Sequence, residues 1–292
     1  MSDKQTKLRL DGVSYTYGKG TPYEMCALDN VSIDISSDTV TGIIGHTGSG
    51  KSTFVQLLNG LIRPMSGRVL LDGKDIWEKP KEITSVRYKV GLVMQYPEYQ
   101  LFEETVGEDI AFGPKNIGLS PDEIAERVKE AACFAGVDEE IMQKSPFELS
   151  GGQKRRVAIA GIMAMRPEVL VLDEPAAGLD PIGRKQILGG LVDYQRRNHC
   201  SVIIVSHSME DMAMYCDDII VMASSKVIMH GTADEIFSHE DDIIAAGLDV
   251  PEVTRLMIRI RDDGYDVPYG IYTVERAISE LDALLKENKA ST

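Results

Sequence analysis

Eight consecutive residues, Gly45-His46-Thr47-Gly48-Ser49-Gly50-Lys51-Ser52, carry the plainest chemical message in this chain, and Thr53 extends them. Their spacing is G-x4-G-K-[ST]. Glycine lets successive backbone N–H groups turn inward around an anion. A helix that begins at such a turn adds the positive end of its dipole. In this pattern Lys51 reaches the β- and γ-phosphates of a nucleotide, and the Ser52 hydroxyl binds Mg2+. A second feature is the pair Asp173-Glu174 at the end of the apolar run Val169–Leu172. Carboxylates at the end of a buried strand are costly unless they have a task. Successive strand residues point to opposite sides. That places Asp173 in the Mg2+ shell and Glu174 towards an attacking water, as a general base of the kind that contributes typically about 10²–10⁴-fold.

These groups need elements to hold them. Val40–Gly45 (VTGIIG) reads as a short buried strand that runs into the glycine turn. An apolar helix with Phe54, Val55, Leu57, Leu58 and Leu61 follows and stops by Pro64. Val31–Ile35 and Arg68–Leu71 suggest a β-rich opening. In the middle, Ser120-Pro121-Asp122-Glu123 spells a helix start with a capping box. A second middle helix follows Leu149 and ends near Arg166-Pro167. Val169–Leu172 and Val202–Val205 are continuously apolar, as parallel strands covered on both faces are. The alternation is that of an α/β fold. From about residue 247 a separate helical appendage is expected, residues 247–292, with Val253, Leu256, Met257 and Ile260 on one face. A Thr273-capped helix then carries Val274, Ala277, Ile278, Leu281, Leu284 and Leu285. Its stripes suit packing on the parent domain or a dimer contact equally.

Composition removes several classes of function. The chain has 292 residues, enough for one large or two modest domains without disulfide staples. No apolar run approaches the roughly 18 residues a membrane helix needs, and Met1–Leu10 lacks the apolar stretch of a secretory signal. A net charge of −15 disfavours nucleic acid as a partner. It does not oppose binding of a small anion, because donors at close range set the local potential and salt screens beyond about 8 Å. Cys26, Cys133, Cys200 and Cys216 lack metal-site spacing and read as buried reduced thiols. Met209, Met212 and Met214 read as core fillers.

Leu149-Ser150-Gly151-Gly152-Gln153 makes the reading specific. It resembles the signature of ATP-binding-cassette (ABC) ATPases, and the other markers stand in order. Tyr17 resembles the adenine-stacking aromatic, with Tyr15 as a rival. Gln95 resembles the Q-loop glutamine, Pro175–Asp180 the D-loop, and His207 the switch histidine. The likeness covers about residues 7–240. It implies a P-loop NTPase core of RecA-like type, an antiparallel β subdomain, and an inserted helical subdomain at about residues 96–166 of an ATPase domain spanning 1–246. It implies ATP and Mg2+ as ligands, Ser52, Gln95 and Asp173 around the metal, and Glu174, His207 and Gln95 in catalysis. Tyr17, Gly45–Thr53, Ser150–Gln153 and Asp180 would bind nucleotide. In that family the signature turn caps the ATP held by the opposite subunit, so one chain carries two half-sites and no complete one.

A narrower likeness rests on QYPEYQLFEETVGEDIAFGPKNIG, on FELSGGQKRRVAIAG and on the PEVTRL…DGYDVP tail. These resemble energy-coupling factor transporter ATPases of the cobalt-importer type, and most of all their A-prime member. The resemblance implies import of a vitamin or metal ion, a paired ATPase or a second copy, a transmembrane scaffold, a substrate-binding membrane subunit, and a place at the cytoplasmic face of the cell membrane. Glu98, Glu103, Glu104, Glu108 and Asp109 would then meet scaffold arginines. Two departures from the family stand out. Ser37-Asp38 replaces Gly-Glu, and Ala176 replaces a hydroxyl residue in the D-loop. Chromosome-maintenance relatives carry long coiled coils that the 54 residues from Gln95 to Leu149 cannot hold. Translation-type cassettes occur in tandem, whereas each motif occurs once here. The remaining alternatives are an ATP-dependent assembly clamp and an ABC ATPase of another transporter type.

Overall fold

The computed structural model describes residues 5–290. Met1–Lys4, on which part of the reading against a leader rests, and the last two residues of the appendage lie outside the described residues. Strands β1 (Thr6–Tyr17) and β2 (Met25–Ser36) form a long antiparallel hairpin. Then come β3 (Val40–Gly45), α1 (Lys51–Leu58), β4 (Ser66–Leu71), β5 (Lys74–Asp75), α2 (Ile83–Lys89) and β6 (Val90–Val93). Three helices follow: α3 (Val106–Asn116), α4 (Pro121–Phe134) and α5 (Gly151–Met163). The chain returns through β7 (Val169–Asp173), α6 (Pro181–Asn198), β8 (Ser201–Val205), α7 (Met209–Tyr215), β9 (Asp218–Ala223) and β10 (Lys226–Gly231). It finishes with α8 (Ala233–Ser238), α9 (Glu240–Ala245), α10 (Glu252–Asp262) and α11 (Val274–Ala290).

Two sheets result. An antiparallel sheet has the order β2-β1-β4-β5, and a six-stranded sheet has the order β10-β9-β3-β8-β7-β6. In the second, β6, β7, β8, β3 and β9 run parallel, and β10 is an antiparallel edge. Alternate residues of its central strands enter different cores. Val169, Val171, Ile203 and Val205 pack with Phe54, Leu57 and Leu58 of α1 and with Leu8, Leu10 and Ile33 of the other sheet. Leu170, Leu172, Val202 and Ile204 pack with Ile159, Ile187 and Leu191 of the helices opposite. This double burial is why those strands are apolar throughout. It also wedges α1 between two sheets, with its N-terminus at the end of β3.

Several expectations need correction. Helix α1 ends at Leu58, because Gly60 turns left-handed (φ 67°) and Leu61 N–H bonds back to Gln56 O at 2.9 Å. Leu61 is therefore exposed. Cys200 is buried, but Cys26 and Cys133 are exposed, and all four thiols are free. Met209 and Met212 fill core, whereas Met214 faces solvent. The capping box of α4 forms as read, with Ser120 and Glu123 exchanging bonds.

The C-terminal helices have a small core of Met257, Val267, Ile271 and Ala277. Buried Thr254 donates to Ile271 O at 2.7 Å. Side-chain contacts that fasten this unit to the rest include Arg261 to the buried Glu240, Tyr272 hydroxyl to Asp234 at 2.9 Å, Arg276 to the same Asp234 at 3.6 Å, and Glu252 N–H to Glu210 at 3.0 Å. Leu256, Val274, Ile278 and Leu285 stay exposed, so their share of the expected stripes does not pack on this chain. Among the described residues no helix is long and apolar enough to cross a membrane.

Candidate active site

The glycine turn joins β3 to α1, and its glycines are there for steric reasons. A Cβ on Gly45 would lie 2.4 Å from Met222 O, and one on Gly50 would lie 2.2 Å from Ala27 O. Gly48 and Gly50 also have φ of 82° and 104°, where a side chain is strained. Gly50 is the N-cap of α1. It supplies no side-chain bond, and the first turn holds no acidic residue. The first N–H groups of α1 are thus left for an outside acceptor. Ser49 Oγ is fully buried without a partner inside the loop. His46 Nδ1 lies 2.8 Å from Thr47 O. Lys51 is buried, and its Nζ donates to Gly45 O at 2.6 Å and His46 O at 3.0 Å. Burial lowers its pKa, while Glu174 and Asp173 work in the other direction.

A cleft of about 220 Å3 opens over this turn. Beside Thr47, Gly48 and Gly50–Thr53, its walls are Met25, Ala27, Gln95, Asp173, Glu174 and His207. Gln95 arrives from the loop after β6. Ser52 Oγ donates to Asp173 Oδ2 at 2.9 Å. Asp173 is 6 % exposed, and burial raises its pKa against that bond and the Lys51 charge.

The expectation that Asp173 and Glu174 diverge by strand alternation fails. The strand stops at Asp173, and Glu174 takes a left-handed backbone (φ 54°) with its N–H on Val205 O at 3.0 Å. That turn brings both carboxylates into one cleft. Such a conformation in a non-glycine residue is held only where its surroundings fix it. Glu174 Oε1 is buried, unpaired by a hydrogen bond, and 3.2 Å from His207 Nε2. Burial, followed by repulsion from Asp173, pushes the Glu174 pKa up to about 7. Burial and Lys51 push the His207 pKa down.

Tyr17, the expected base-stacking residue, stands at the end of β1 in the β1–β2 hairpin. Tyr17 hydroxyl lies 3.2 Å from Thr53 Oγ1, and its ring meets Tyr15 edge to face at 4.9 Å. Tyr15 packs towards the core beneath α1. Met25, paired with Tyr17 across the hairpin and largely exposed, was not singled out from sequence, nor was Ala27. A lone methionine at a strand start carries no distinctive signal.

Ser150–Gln153 contribute nothing to this cleft among its described walls. They form the N-terminus of α5, where Ser150 accepts from Gln153 N–H and Gln153 accepts from Ser150 N–H. Gly151 has open space around it. Asp180 caps α6 by accepting from Gly183 N–H at 2.6 Å. Ala176 is buried in the core, where a hydroxyl would need a partner. Asp38, in the Ser37-Asp38 turn, accepts from Gln195 at 2.6 Å, away from the cleft.

The acidic segment is less free than its composition suggests. Asp109 is buried and accepts from the N–H groups of Phe102 and Glu103 at 3.2 and 3.3 Å. Glu98 pairs with the buried Arg155 at 3.3 Å. Beside them lies an apolar groove of about 280 Å3 between Phe102, Phe112, Ile162 and Met165. The two phenylalanines meet edge to face at 4.8 Å, and both are exposed.

The donors fit Mg2+. Ser52, Gln95 and Asp173 offer hard oxygens, which suit an ion that keeps water and phosphate as its other ligands. Among the described residues no cluster of three His, Cys, Asp or Glu forms a self-sufficient metal cage.

Residues 28–177 match the ABC transporter family. The energy-coupling factor transporter ATP-binding protein EcfA2 of Clostridium acetobutylicum is 50% identical over 97% of this chain and 99% of its own length. That of Clostridium tetani is 49% identical over 94% and 96%. Among solved structures, cbiO1 from Clostridium perfringens, part of the ABC transporter complex cbiONQ, superposes with a TM-score of 0.74 at 39% identity, covering 87% of this chain and 99% of that one. The dimeric post-hydrolysis state of the cassette MJ0796 with ADP and Pi gives 0.70 at 28% identity, covering 77% and 98%.

Proposed function

Since this chain belongs to the ABC transporter family, and within it to the energy-coupling factor transporter ATP-binding proteins, its activity is ATP hydrolysis coupled to transport, and we propose that the cleft over Gly45–Thr53 performs it. The observation that carries this is the meeting of Lys51, Ser52, Asp173 and an unpaired buried oxygen of Glu174 in one space. The α1 amides and Lys51 hold the phosphates. Lys51 exchanges its bonds to Gly45 O and His46 O for phosphate oxygens. Ser52, Asp173 and Gln95 would hold Mg2+, which when bound would supply neutralisation of phosphate charge. Glu174 accepts a proton from water, whose oxygen attacks the γ-phosphorus while the bond to the β-phosphate oxygen breaks and ADP leaves with the electron pair. His207 orients that carboxylate. Tyr17 and Met25 flank the base.

Ser150–Gln153 serve the ATP of a second subunit set head to tail, either a related ATPase or another copy. The absence of this turn from the cleft's walls and its solvent-facing glycine support that reading. The exposed side chains Leu256, Val274, Ile278 and Leu285 suit a further contact between the C-terminal appendages. A cytoplasmic segment of a membrane scaffold docks in the Phe102–Phe112 groove, with the neighbouring half-buried Glu103 and exposed Glu104 offered to its arginines. Glu98 is not available for this, because it is committed to Arg155. The chain is held at the cytoplasmic face by these partners and powers import of a vitamin or metal ion. The test is isolation of the native complex from membranes, with its subunits identified and its phosphate release measured with ATP and Mg2+. A purified chain that ignores ATP with Mg2+, or a complex lacking membrane subunits, overturns the proposal.

A further inference from the structure

We propose that Arg155 is a positioning residue that makes the Gln95 segment, helix α5 and the loop after Glu174 move as one body. Arg155 lies on the inward side of α5 with its side chain 7% exposed. Its Nε and Nη2 reach the Glu98 carboxylate at 3.3–3.4 Å, and its Nη1 donates to the Ala177 carbonyl. Each contact belongs to a different working part. Glu98 is three residues past Gln95, in the turn Pro97–Gln100. Ala177 N–H bonds back to Glu174 O at 3.3 Å. Ser150, five residues ahead of Arg155, is the N-cap of the same helix. A guanidinium can serve both partners because its donors form a rigid planar fork; a lysine ammonium cannot span them. The adjacent Lys154 turns to the ring of Phe147 instead, so the role is particular to Arg155.

The burial decides the strength of the link. A surface pair contributes little, but a shielded charge left without its partner is strongly unfavourable. Gln95 therefore cannot shift far without dragging α5 and the loop behind Glu174. A signal at the phosphate end of the cleft reaches the Ser150 turn through this side chain. The last step rests on the head-to-tail reading above; the coupling inside one chain does not.

Two variants test it: Glu98→Gln, which leaves Arg155 bonded to Ala177, and Arg155→Lys, which keeps the charge without the fork. Amide hydrogen exchange is followed in the separate full chain before and after ATP with Mg2+. In the wild type, ATP should slow exchange both at residues 95–100 and at 155–163. In Glu98→Gln the slowing at 155–163 should be lost while that at 95–100 persists, with ATP affinity within about twofold of wild type. In the assembled transporter kcat should fall at least tenfold with KM little changed, and Arg155→Lys should not rescue it. Equal protection of 155–163 in wild type and variant, or an unchanged kcat per nucleotide-binding chain, overturns the proposal even where thermal stability drops. A wild-type complex whose hydrolysis lacks any cooperativity in ATP would instead count against the head-to-tail reading and leave the exchange result standing.

Discussion

Helices α1 and α5 both begin at a glycine-rich turn, yet their first turns are built for opposite tasks. At α1 the N-cap is Gly50, with no side chain to satisfy the helix's opening amides, and a buried Ser49 hydroxyl stands unpaired beside them. At α5 the N-cap is Ser150, closed by Gln153 in a reciprocal box. The first start is unfinished until an anion arrives. The second is complete on its own and has only Gly151, Gly152 and the Ser150 hydroxyl to offer. A helix N-terminus attracts anions in proportion to what its own side chains leave unsatisfied. One chain should thus grip a nucleotide at α1 alone, while the α5 turn acts only on phosphates that something else already holds.

The largest effect expected falls on Glu174, the proposed general base. Glu174→Gln should lower phosphate release at least about 10²-fold, roughly 2.7 kcal/mol of barrier, while nucleotide binding persists. Equal turnover in both proteins would remove the general base and the reason for bringing the two helix starts together. Next, Lys51→Ala should weaken ATP binding to the separate chain roughly 10- to 100-fold, as loss of charge-assisted hydrogen bonds does, read by calorimetric titration. Ser150→Ala sharpens the contrast. It should leave that affinity unchanged, yet cut hydrolysis by the assembled complex about tenfold, with about 1 kcal/mol of stability lost with the cap. Should it weaken binding in the separate chain as Lys51→Ala does, the comparison breaks. The smallest effect is the control. Ser120→Ala removes the same kind of box from α4 and should cost about 1 kcal/mol in a denaturation curve, with ATP affinity and turnover intact.

Much of this architecture was legible because periodicity and punctuation agreed. Val40–Gly45 has no polar face to confuse it, and Ser120-Pro121-Asp122-Glu123 states a helix start in four letters. The carboxylate pair Asp173-Glu174 was legible in sequence but not in arrangement. Alternation along a strand was the right rule for Val169–Leu172 and the wrong one a residue later, where the left-handed turn at Glu174 has no glycine or asparagine to announce it. Arg155 was hidden for another reason. It sits between Lys154 and Arg156, and only the register of α5 against the Glu98 turn decides which of three basic residues faces inward. Charge runs misled in the same way: five acidic residues were expected to meet scaffold arginines together, but Asp109 and Glu98 spend their oxygens within the chain. Partners distant in sequence set these outcomes.

Glu210, three residues beyond His207, accepts from the first amide of α10 and also from the Ser208 hydroxyl. Arg261 and Tyr272 anchor the same C-terminal unit to α9 and α8. The rear of the molecule is therefore geared to the histidine segment rather than trailing behind it on a slack tether. Any tilt of that segment must be transmitted to the last two helices, and a load placed on those helices must be felt in return at His207.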